Sequence, residues 1–466
     1  MKVSRSCAAG SGLLILAVLV SCAPAPRPPI EASTTTTPTS PAAAAAPAPI
    51  VTPRGDFSAV AKLVNDDIAA RRLPGAVVQV GHDGSIVFRQ AYGERKLAGE
   101  PGLNGAPSPA EPMTEETIFD LASLSKPLAT TPAVLQLYEQ GKVALDEPVQ
   151  TYLPAFNPAN DPRRARVTLR TLLTHTSGIG GDLSRQGPWG LVAADRSDGL
   201  QRALTAPLEF DPGTVFHYSD IGFIILGALV EKISGEPLDV YVQDNVFAPL
   251  DMVDTRYLPA SKACGPHQIL GNALTYGAEA AGAADCPQGS WNVDLLTRVA
   301  PTARDEDTPG INPDYGRLLR STVHDPTARR MGGVTGSAGV FSTVYDVGRY
   351  AQALLDRLAG RPSPFPLRQA TAELMTTPQQ PDGVGDLRGF GWDIDTYQSS
   401  PRGLIFPVGS FGHTGFTGVT LWMDLGSDSY VVVLGNVIHQ RGGPPVAPLS
   451  GEIATAAARA LNLYGS

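Results

Sequence analysis

The chain has 466 residues, of which 42% are hydrophobic, so it can bury a large core as one large domain or as two or three smaller ones. Its formal net charge at pH 7 is -9. No basic footprint for nucleic acid is present, so nucleic acid is excluded as a partner.

Residues 1–22 have the features of an export signal. Lys2 and Arg5 form a cationic start, and residues 12–20 are an apolar stretch too short to span a bilayer. The segment ends at Cys22 in Leu-Val-Ser-Cys, which is similar to the bacterial lipoprotein box, where the cysteine is lipidated and becomes the new N-terminus. Ordinary cleavage with free secretion is the alternative. We favour lipidation, which predicts a membrane-anchored protein in the periplasm or on the outer cell surface.

Residues 23–53 consist almost entirely of Ala, Pro, Thr and Ser and cannot form a core. This composition predicts a disordered, semi-rigid tether. Residues 54–466 are then the folded hydrolase domain that the motifs described below indicate.

The four cysteines divide into two pairs. Cys7 leaves with the leader and Cys22 is the lipidation site, so Cys264 and Cys286 remain. An oxidising compartment could join these two, and two free thiols are the open alternative. No His or Cys spacing typical of zinc accompanies them, so no metal is predicted.

The beginning of the folded part predicts a helix followed by a hairpin. Apolar residues recur at helical spacing over residues 57–72, after a possible N-cap at Asp56. Residues 76–80 and 86–92 are β-rich and flank Asp83-Gly84, a strong hairpin signal. These two strands are expected to be antiparallel neighbours.

The middle of the chain predicts a helical insertion over about residues 131–330, with its clearest helix at 222–233. Sheet character returns after about residue 337, with strands at 417–423 and 430–434 and a final helix at 450–462. This order predicts an α+β fold: an antiparallel sheet from both chain ends, flanked by helices, with an inserted all-helical subdomain.

Ser123 and Lys126 carry the first chemical signal. A spacing of three residues places both side chains on one helix face, so the amine can reach the hydroxyl. A serine alcohol is a poor nucleophile at neutral pH unless a nearby group helps remove its proton. Ser-x-x-Lys alone also fits two solvent-facing helix residues, but this is the only such match in the chain.

Two further elements follow in order, Phe216-His217-Tyr218-Ser219-Asp220 and Gly412-His413-Thr414-Gly415. With Ser-x-x-Lys they resemble the three elements of the penicillin-binding protein and serine β-lactamase superfamily, in its class C and carboxypeptidase or esterase-like branch. Here Asp220 stands where the family has an amide, and His413 stands where it has a lysine. Residues 172–179, 249–252 and 336–343 also resemble the family, and the likeness spans about residues 57–462.

The resemblance implies a β-lactamase/transpeptidase-like fold and roles for individual residues. Tyr218 acts as general base on Ser123 with help from Lys126. The backbone N-H groups of Ser123 and Phe416 form the oxyanion hole. The remaining implied residues bind substrate, namely Asp220, His413, Thr414 and Gly415. His175 is taken as structural, and His324-Asp325 as a possible border of the cleft.

The substitutions in the second and third elements disfavour efficient β-lactamase activity. A neutral imidazole at His413 holds a substrate carboxylate less well than a lysine, and Asp220 would repel one unless Lys126 neutralises it. We therefore predict a serine acyl hydrolase that forms an acyl-enzyme at Ser123, resembling a D-alanyl-D-alanine carboxypeptidase or an esterase. Its substrate would be a small ester or amide, or a peptidoglycan-derived D-alanyl peptide.

Two alternatives stay open: a β-lactamase, and a penicillin-recognising lipoprotein that does not catalyse. No Gly-x-Ser-x-Gly elbow or His-Glu-x-x-His motif supports another hydrolase class. No cofactor is predicted, and the sequence leaves the oligomeric state open. Residues 259–330 are expected to form a lid or rim that selects substrates.

Overall fold

The described part of the chain contains both β-sheets and α-helices. The structure, a computed structural model, describes residues 51–52, 54–276, 286–440 and 445–466. The predicted leader, the lipidation site and all of the tether except residues 51–52 lie outside this part. All of the described residues belong to one compact unit. Within the described residues, no helix is both long and apolar enough to cross a membrane.

The main sheet has eight strands drawn from both ends of the chain, in the order β11-β12-β13-β14-β15-β1-β2-β3. Its strands are β1 (Gly75–His82), β2 (Ser85–Lys96), β3 (Glu111–Pro112), β11 (Leu387–Arg388), β12 (Asp393–Asp395), β13 (Phe411–Gly415), β14 (Val419–Asp424) and β15 (Ser429–Gly435). All neighbouring pairs are antiparallel. This arrangement confirms the predicted fold class.

The two central strands hold the sheet together across the chain. β1 pairs with β15 from Ala76 opposite Gly435 to His82 opposite Ser429. Because successive side chains alternate, Val77 packs into the core on one face and Val78 into the core on the other. Both strands are buried on both faces, which explains their near-continuous apolar sequences.

Eleven α-helices are described. They are α1 (Ser58–Ala69), α2 (Thr131–Glu139), α3 (Val149–Tyr152), α4 (Leu169–Leu173), α5 (Arg196–Thr205), α6 (Asp220–Ser234), α7 (Leu238–Val242), α8 (Pro326–Arg330), α9 (Val344–Leu358), α10 (Gln369–Thr376) and α11 (Val446–Ala460). Helices α1 and α11 cover one face of the main sheet, while α9 and the inserted helices share the core on the other face.

The inserted region is mainly helical up to Leu250, and α8 lies at its end. Between these two parts lie five short strands, β5 (Arg256–Tyr257), β6 (Ala263–Cys264), β7 (His267–Leu270), β8 (Ala273–Tyr276) and β9 (Trp291–Asn292). This departs from the all-helical expectation, because strands of two to four residues show no readable periodicity. Cys264 and Cys286 form a disulfide with a Cα–Cα distance of 5.6 Å, which closes the loop containing β7 and β8.

A second, small sheet supports the turn that carries Ser123. It consists of β4 (Phe119–Asp120), β10 (Val340–Ser342) and β5, in the order β4-β10-β5. The backbone N-H of Leu121, just after β4, donates to the Val340 carbonyl at 2.9 Å. The start of the Ser-x-x-Lys element is therefore anchored to a strand more than two hundred residues further along the chain.

Candidate active site

Ser123 lies in a tight turn between β4 and α2. It is the middle residue of a 3-10 turn, Ala122–Leu124, and the preceding Ala122 has a φ of 45°. A left-handed conformation at a residue with a side chain is strained and is held by its surroundings. Here the Ala122 N-H donates to the Asp120 carboxylate at 2.9 Å, which fixes the turn and leaves Ser123 half-buried.

The buried carboxyl of Asp120 links this turn to the end of the insertion. It also accepts a hydrogen bond from the backbone N-H of His324 at 2.7 Å. Burial raises the pKa of Asp120 to about 6, although these two backbone hydrogen bonds oppose the rise.

Lys126 is fully buried at the start of a π-helical turn, Lys126–Thr130, that leads into α2. Such turns are rare and are often found at functional sites. The Nζ atom donates to the Ser123 hydroxyl at 3.0 Å and to the Ser337 carbonyl at 2.9 Å, and it forms an ion pair with the Asp220 carboxylate. These contacts occupy all three N-H donors of an ammonium group.

The surroundings of Lys126 keep it charged. Burial lowers its pKa, but the negative charge of Asp220 and the neighbouring Tyr218 outweigh burial, so the pKa lies above its ordinary value. Lys126 is therefore an ammonium at neutral pH. Its role at this site is to donate hydrogen bonds and supply positive charge, and it cannot accept a proton from Ser123.

Tyr218 joins the pocket from just before α6. Ser219 caps this helix by accepting the Gly222 N-H at 3.1 Å, and Tyr218 is the residue before the cap. The Lys126 Nζ atom lies 5.0 Å from the centre of the Tyr218 ring. The sequence elements around residues 123 and 218 therefore meet in one pocket, although about ninety residues separate them.

The Tyr218 hydroxyl is buried and has no hydrogen-bond partner of full geometry among the described residues. It still lies close enough to Lys126 and Ser123 for both groups to act on its ionisation. Burial raises the pKa of Tyr218, the positive charge of Lys126 lowers it, and the negative charge of Asp220 raises it further. The net pKa lies above the ordinary value, so the phenolate is a minor species at neutral pH.

Two neutral histidines surround Tyr218. The His175 ring stacks on Tyr218 at 4.3 Å, and its Nδ1 atom accepts the Ser219 N-H at 3.1 Å. The His413 ring is 6.0 Å from Tyr218. Burial, followed by the charge of Arg388, holds the pKa of both histidines well below the usual range. His175 thus contacts Tyr218 and Ser219, and its structural role remains a prediction.

The third element brings a hydrogen-bond acceptor to the site in place of a cation. His413 Nδ1 lies 2.7 Å from the carbonyl of Thr414, which can only accept, so Nδ1 carries the proton. The Nε2 atom is then an acceptor, and it is buried with no partner among the described residues. Thr414 is half-buried beside it on β13.

Gly415 allows β13 to approach the serine turn closely. A Cβ atom at this position would lie 2.4 Å from the Leu121 carbonyl oxygen, so only glycine fits. The Thr417 hydroxyl then donates to the Asp120 carbonyl at 2.7 Å. These contacts bring the backbone of Phe416 to the same turn as Ser123, as two donors of one oxyanion hole require.

Two further residues near the site were not among the predicted site residues. The Ser337 carbonyl accepts from Lys126, and the carboxyl of Asp182 interacts with that of Asp220. Burial and the charge of Asp220 raise the pKa of Asp182 to about 7. Only residues 336–343 gave a signal, because that stretch resembles the family. The described residues contain no cluster that could hold a metal ion.

The end of the insertion borders the site, as predicted for His324. Its ring stacks on the exposed ring of Phe416 with centroids 5.9 Å apart. Asp325 is half-buried next to it, and desolvation followed by the charge of Asp220 raises its pKa. The segment that carries the disulfide thus ends beside the predicted oxyanion hole.

The chain belongs to the beta-lactamase family, whose model matches residues 60–447. It is 31% identical to the N-acetylmuramyl-L-alanine amidase of Bacillus subtilis over 393 residues, which cover 82% of this chain and 80% of the relative. It is 30% identical to a putative D-alanyl-D-alanine carboxypeptidase of Escherichia coli K12 over 382 residues, or 80% of each chain.

Solved structures show the same fold. EstCE1, a hydrolase with promiscuous acyltransferase activity, matches with a TM-score of 0.58 at 23% identity, over 86% of this chain and 97% of that one. A penicillin-binding protein homologue from Caulobacter crescentus matches with a TM-score of 0.61 at 17% identity, over 88% and 99%. The protein is thus a serine hydrolase of the penicillin-binding protein and β-lactamase superfamily.

Proposed function

We propose that the protein is an acyl hydrolase in which Ser123 forms an acyl-enzyme with a D-alanyl-type peptide or a small ester or amide. The observation that carries this proposal is the contact of Lys126 Nζ with Ser123 Oγ at 3.0 Å inside the pocket that also holds Tyr218. An alcohol, a buried ammonium and a phenol within one pocket form an activated nucleophile.

Proton transfer begins with the phenolate form of Tyr218. Because all three N-H donors of Lys126 are occupied and its pKa is raised, the ammonium stabilises this phenolate and does not itself act as the base. The phenolate takes the proton from Ser123 Oγ as the oxygen attacks the substrate carbonyl. It then returns that proton to the leaving group.

The oxyanion hole and a second transfer complete the cycle. The backbone N-H groups of Ser123 and Phe416 stabilise the negative charge on the carbonyl oxygen of the tetrahedral intermediate. Tyr218 next takes a proton from water, which attacks the acyl-enzyme and releases the acid. The returning proton restores the hydroxyl of Ser123.

The substrate-binding residues favour a small ester or amide over a substrate that is held by its carboxylate, as a β-lactam is. The ion pair with Lys126 neutralises Asp220, which removes the expected repulsion of a substrate carboxylate. His413 nevertheless provides an acceptor where a β-lactamase would offer a cation. The names of the two relatives support a substrate derived from peptidoglycan.

A substrate panel tests the proposal. Purified protein and the Ser123→Ala variant are assayed with p-nitrophenyl acetate, nitrocefin and a D-Ala-D-Ala peptide. We expect hydrolysis of the ester or the peptide, little turnover of nitrocefin, and loss of activity in the variant. Full activity of Ser123→Ala would refute the proposal, and fast turnover of nitrocefin would favour the β-lactamase alternative. Stable labelling by a fluorescent penicillin without turnover of any substrate would favour the receptor alternative.

We also propose that the mature protein is an exported lipoprotein anchored through Cys22, with residues 23–53 as the tether. The cationic start, the short apolar stretch and the position of the cysteine support this location. Metabolic labelling with palmitate should mark the wild type and leave the Cys22→Ser variant unlabelled. Equal labelling of the two proteins would rule out Cys22 as the lipidation site.

A further inference from the structure

Arg388 is a fully buried cation whose guanidinium lacks hydrogen-bond partners. None of its Nε, Nη1 and Nη2 atoms has a partner among the described residues. Its ion-pair contact is with the Asp393 carboxylate at 3.8 Å, and that carboxylate already accepts hydrogen bonds from Thr396 and Ser399. A buried charge with so few partners is unfavourable for folding, so the position calls for a functional explanation.

The position of Arg388 close to the site suggests such a functional explanation. Its guanidinium lies 5.4 Å from the Phe216 ring, two residues before Tyr218. The Phe216 ring contacts His175, which stacks on Tyr218. The positive charge of Arg388 lowers the pKa of His175 and of His413, the two histidines around Tyr218, and it also interacts with Tyr218 itself, more weakly than Lys126 does.

The third sequence element lacks a cation, which makes the positive charge of Arg388 more important for the site. That element carries His413 in place of a lysine, and no lysine follows Lys262 in the chain. Arg388 is in β11, two strands from β13 in the same sheet. Another strand of the same sheet thus supplies a positive charge that the third element lacks.

We propose that Arg388 is a positioning residue: in addition to Lys126, it is a second buried cation that stabilises the phenolate of Tyr218. Its nitrogens are inaccessible, so it acts through Tyr218 and does not touch the substrate. The role rests on the proposed function of Ser123 and Tyr218. It accounts for a charge that contributes little to the hydrogen bonding of the fold.

Three variants test this role with p-nitrophenyl acetate as the probe. In Arg388→Met we expect kcat to fall at least about tenfold with KM within about twofold, because the loss concerns charge stabilisation and not binding. Arg388→Lys keeps the charge and should recover most of kcat. Arg357→Met is the control, since Arg357 is a half-buried arginine that also has an unpartnered Nε, and it lies near the end of α9, where it donates to the carbonyls of Ser363 and Phe365.

Thermal unfolding separates this role from a structural one. Arg388→Met should have a melting temperature no lower than that of Arg388→Lys, although its kcat should be lower. The loss of activity would then not follow from a loss of stability. Unchanged kcat in Arg388→Met would overturn the inference, as would a loss of kcat in both variants that follows their melting temperatures. If Ser123→Ala is inactive and Arg388→Met is fully active, only this inference fails. If Ser123→Ala is active, the proposed function itself fails.

Discussion

The ion pair between Lys126 and Asp220 predicts a large effect of the Asp220→Asn substitution on stability. The change removes the carboxylate while keeping the size of the side chain and restoring the amide of the related motif. Lys126 is fully buried and Asp220 is 21% exposed, so solvent replaces little of the lost interaction. Breaking a buried pair from one side costs about 3–5 kcal/mol, and the partial exposure of Asp220 favours the lower end, about 3 kcal/mol.

The pH dependence of this effect follows from the pKa of Lys126. In the wild type the raised pKa contributes stability that is fully present below the ordinary value of 10.5 and is lost only as pH rises through the folded-state pKa. In Asp220→Asn, burial without the carboxylate should lower the pKa of Lys126. The stability difference is then largest near pH 7 and narrows toward pH 9.5, where a neutral amine needs no counter-charge.

Urea denaturation of both proteins at pH 7 and pH 9.5 measures this difference. Asp66→Asn is the control, because its pair with Lys62 is mostly exposed and should change stability by less than about 0.5 kcal/mol. A difference below about 1 kcal/mol at pH 7 for Asp220→Asn would refute the reasoning. If the stability difference between wild type and Asp220→Asn increased from pH 7 to pH 9.5, the assigned positive charge of Lys126 would be contradicted.

Three further predictions concern the serine turn and the insertion. Gly415→Ala should lower kcat/KM by about a hundredfold, because the new Cβ atom would push β13 away from the Leu121 carbonyl. An acylation assay would measure this loss, and unchanged kinetics would contradict the prediction. The raised pKa of Asp120 contributes stability that is fully present below the ordinary value of 3.8 and is lost as pH rises through about 6. Asp120→Asn should therefore remove a change of about 2 kcal/mol between urea curves at pH 4 and pH 7. The Cys264→Ala/Cys286→Ala double variant should lose about 3 kcal/mol, and a melting temperature equal to wild type would argue against a stabilising bond.

The sequence predicted most of the long elements of the fold because their signals are local, but it missed α9, which lies where sheet character was expected. Asp83-Gly84 occupies the turn between β1 and β2, and both residues have the positive φ that this turn needs. Helix α6 ends at Gly235 in a left-handed cap, close to the predicted end at 233. The short strands between 256 and 292 were missed because long-range contacts, and not periodicity, define them.

The site was predictable in its residues but not in its charges. Ser123, Lys126 and Tyr218 were found through spacing and resemblance, and the structure brings them together. The catalytic roles given to them, and to Phe416 and His413, remain predictions. The protonation of Lys126 depends on contacts with Asp220 and the Ser337 carbonyl, which no local pattern reveals.

Pairing of the first long strand with the last has a consequence for how the polypeptide matures. β1 at residue 75 has no neighbour on one side until residue 435 has been synthesised. A ribosome-bound chain therefore exposes an apolar, two-sided strand for most of translation, and such edges invite aggregation. The long separation also predicts slow folding, since hundreds of residues must be brought together before the sheet closes. Shortening the C-terminus before residue 435 should thus abolish the native state outright and not merely trim its surface.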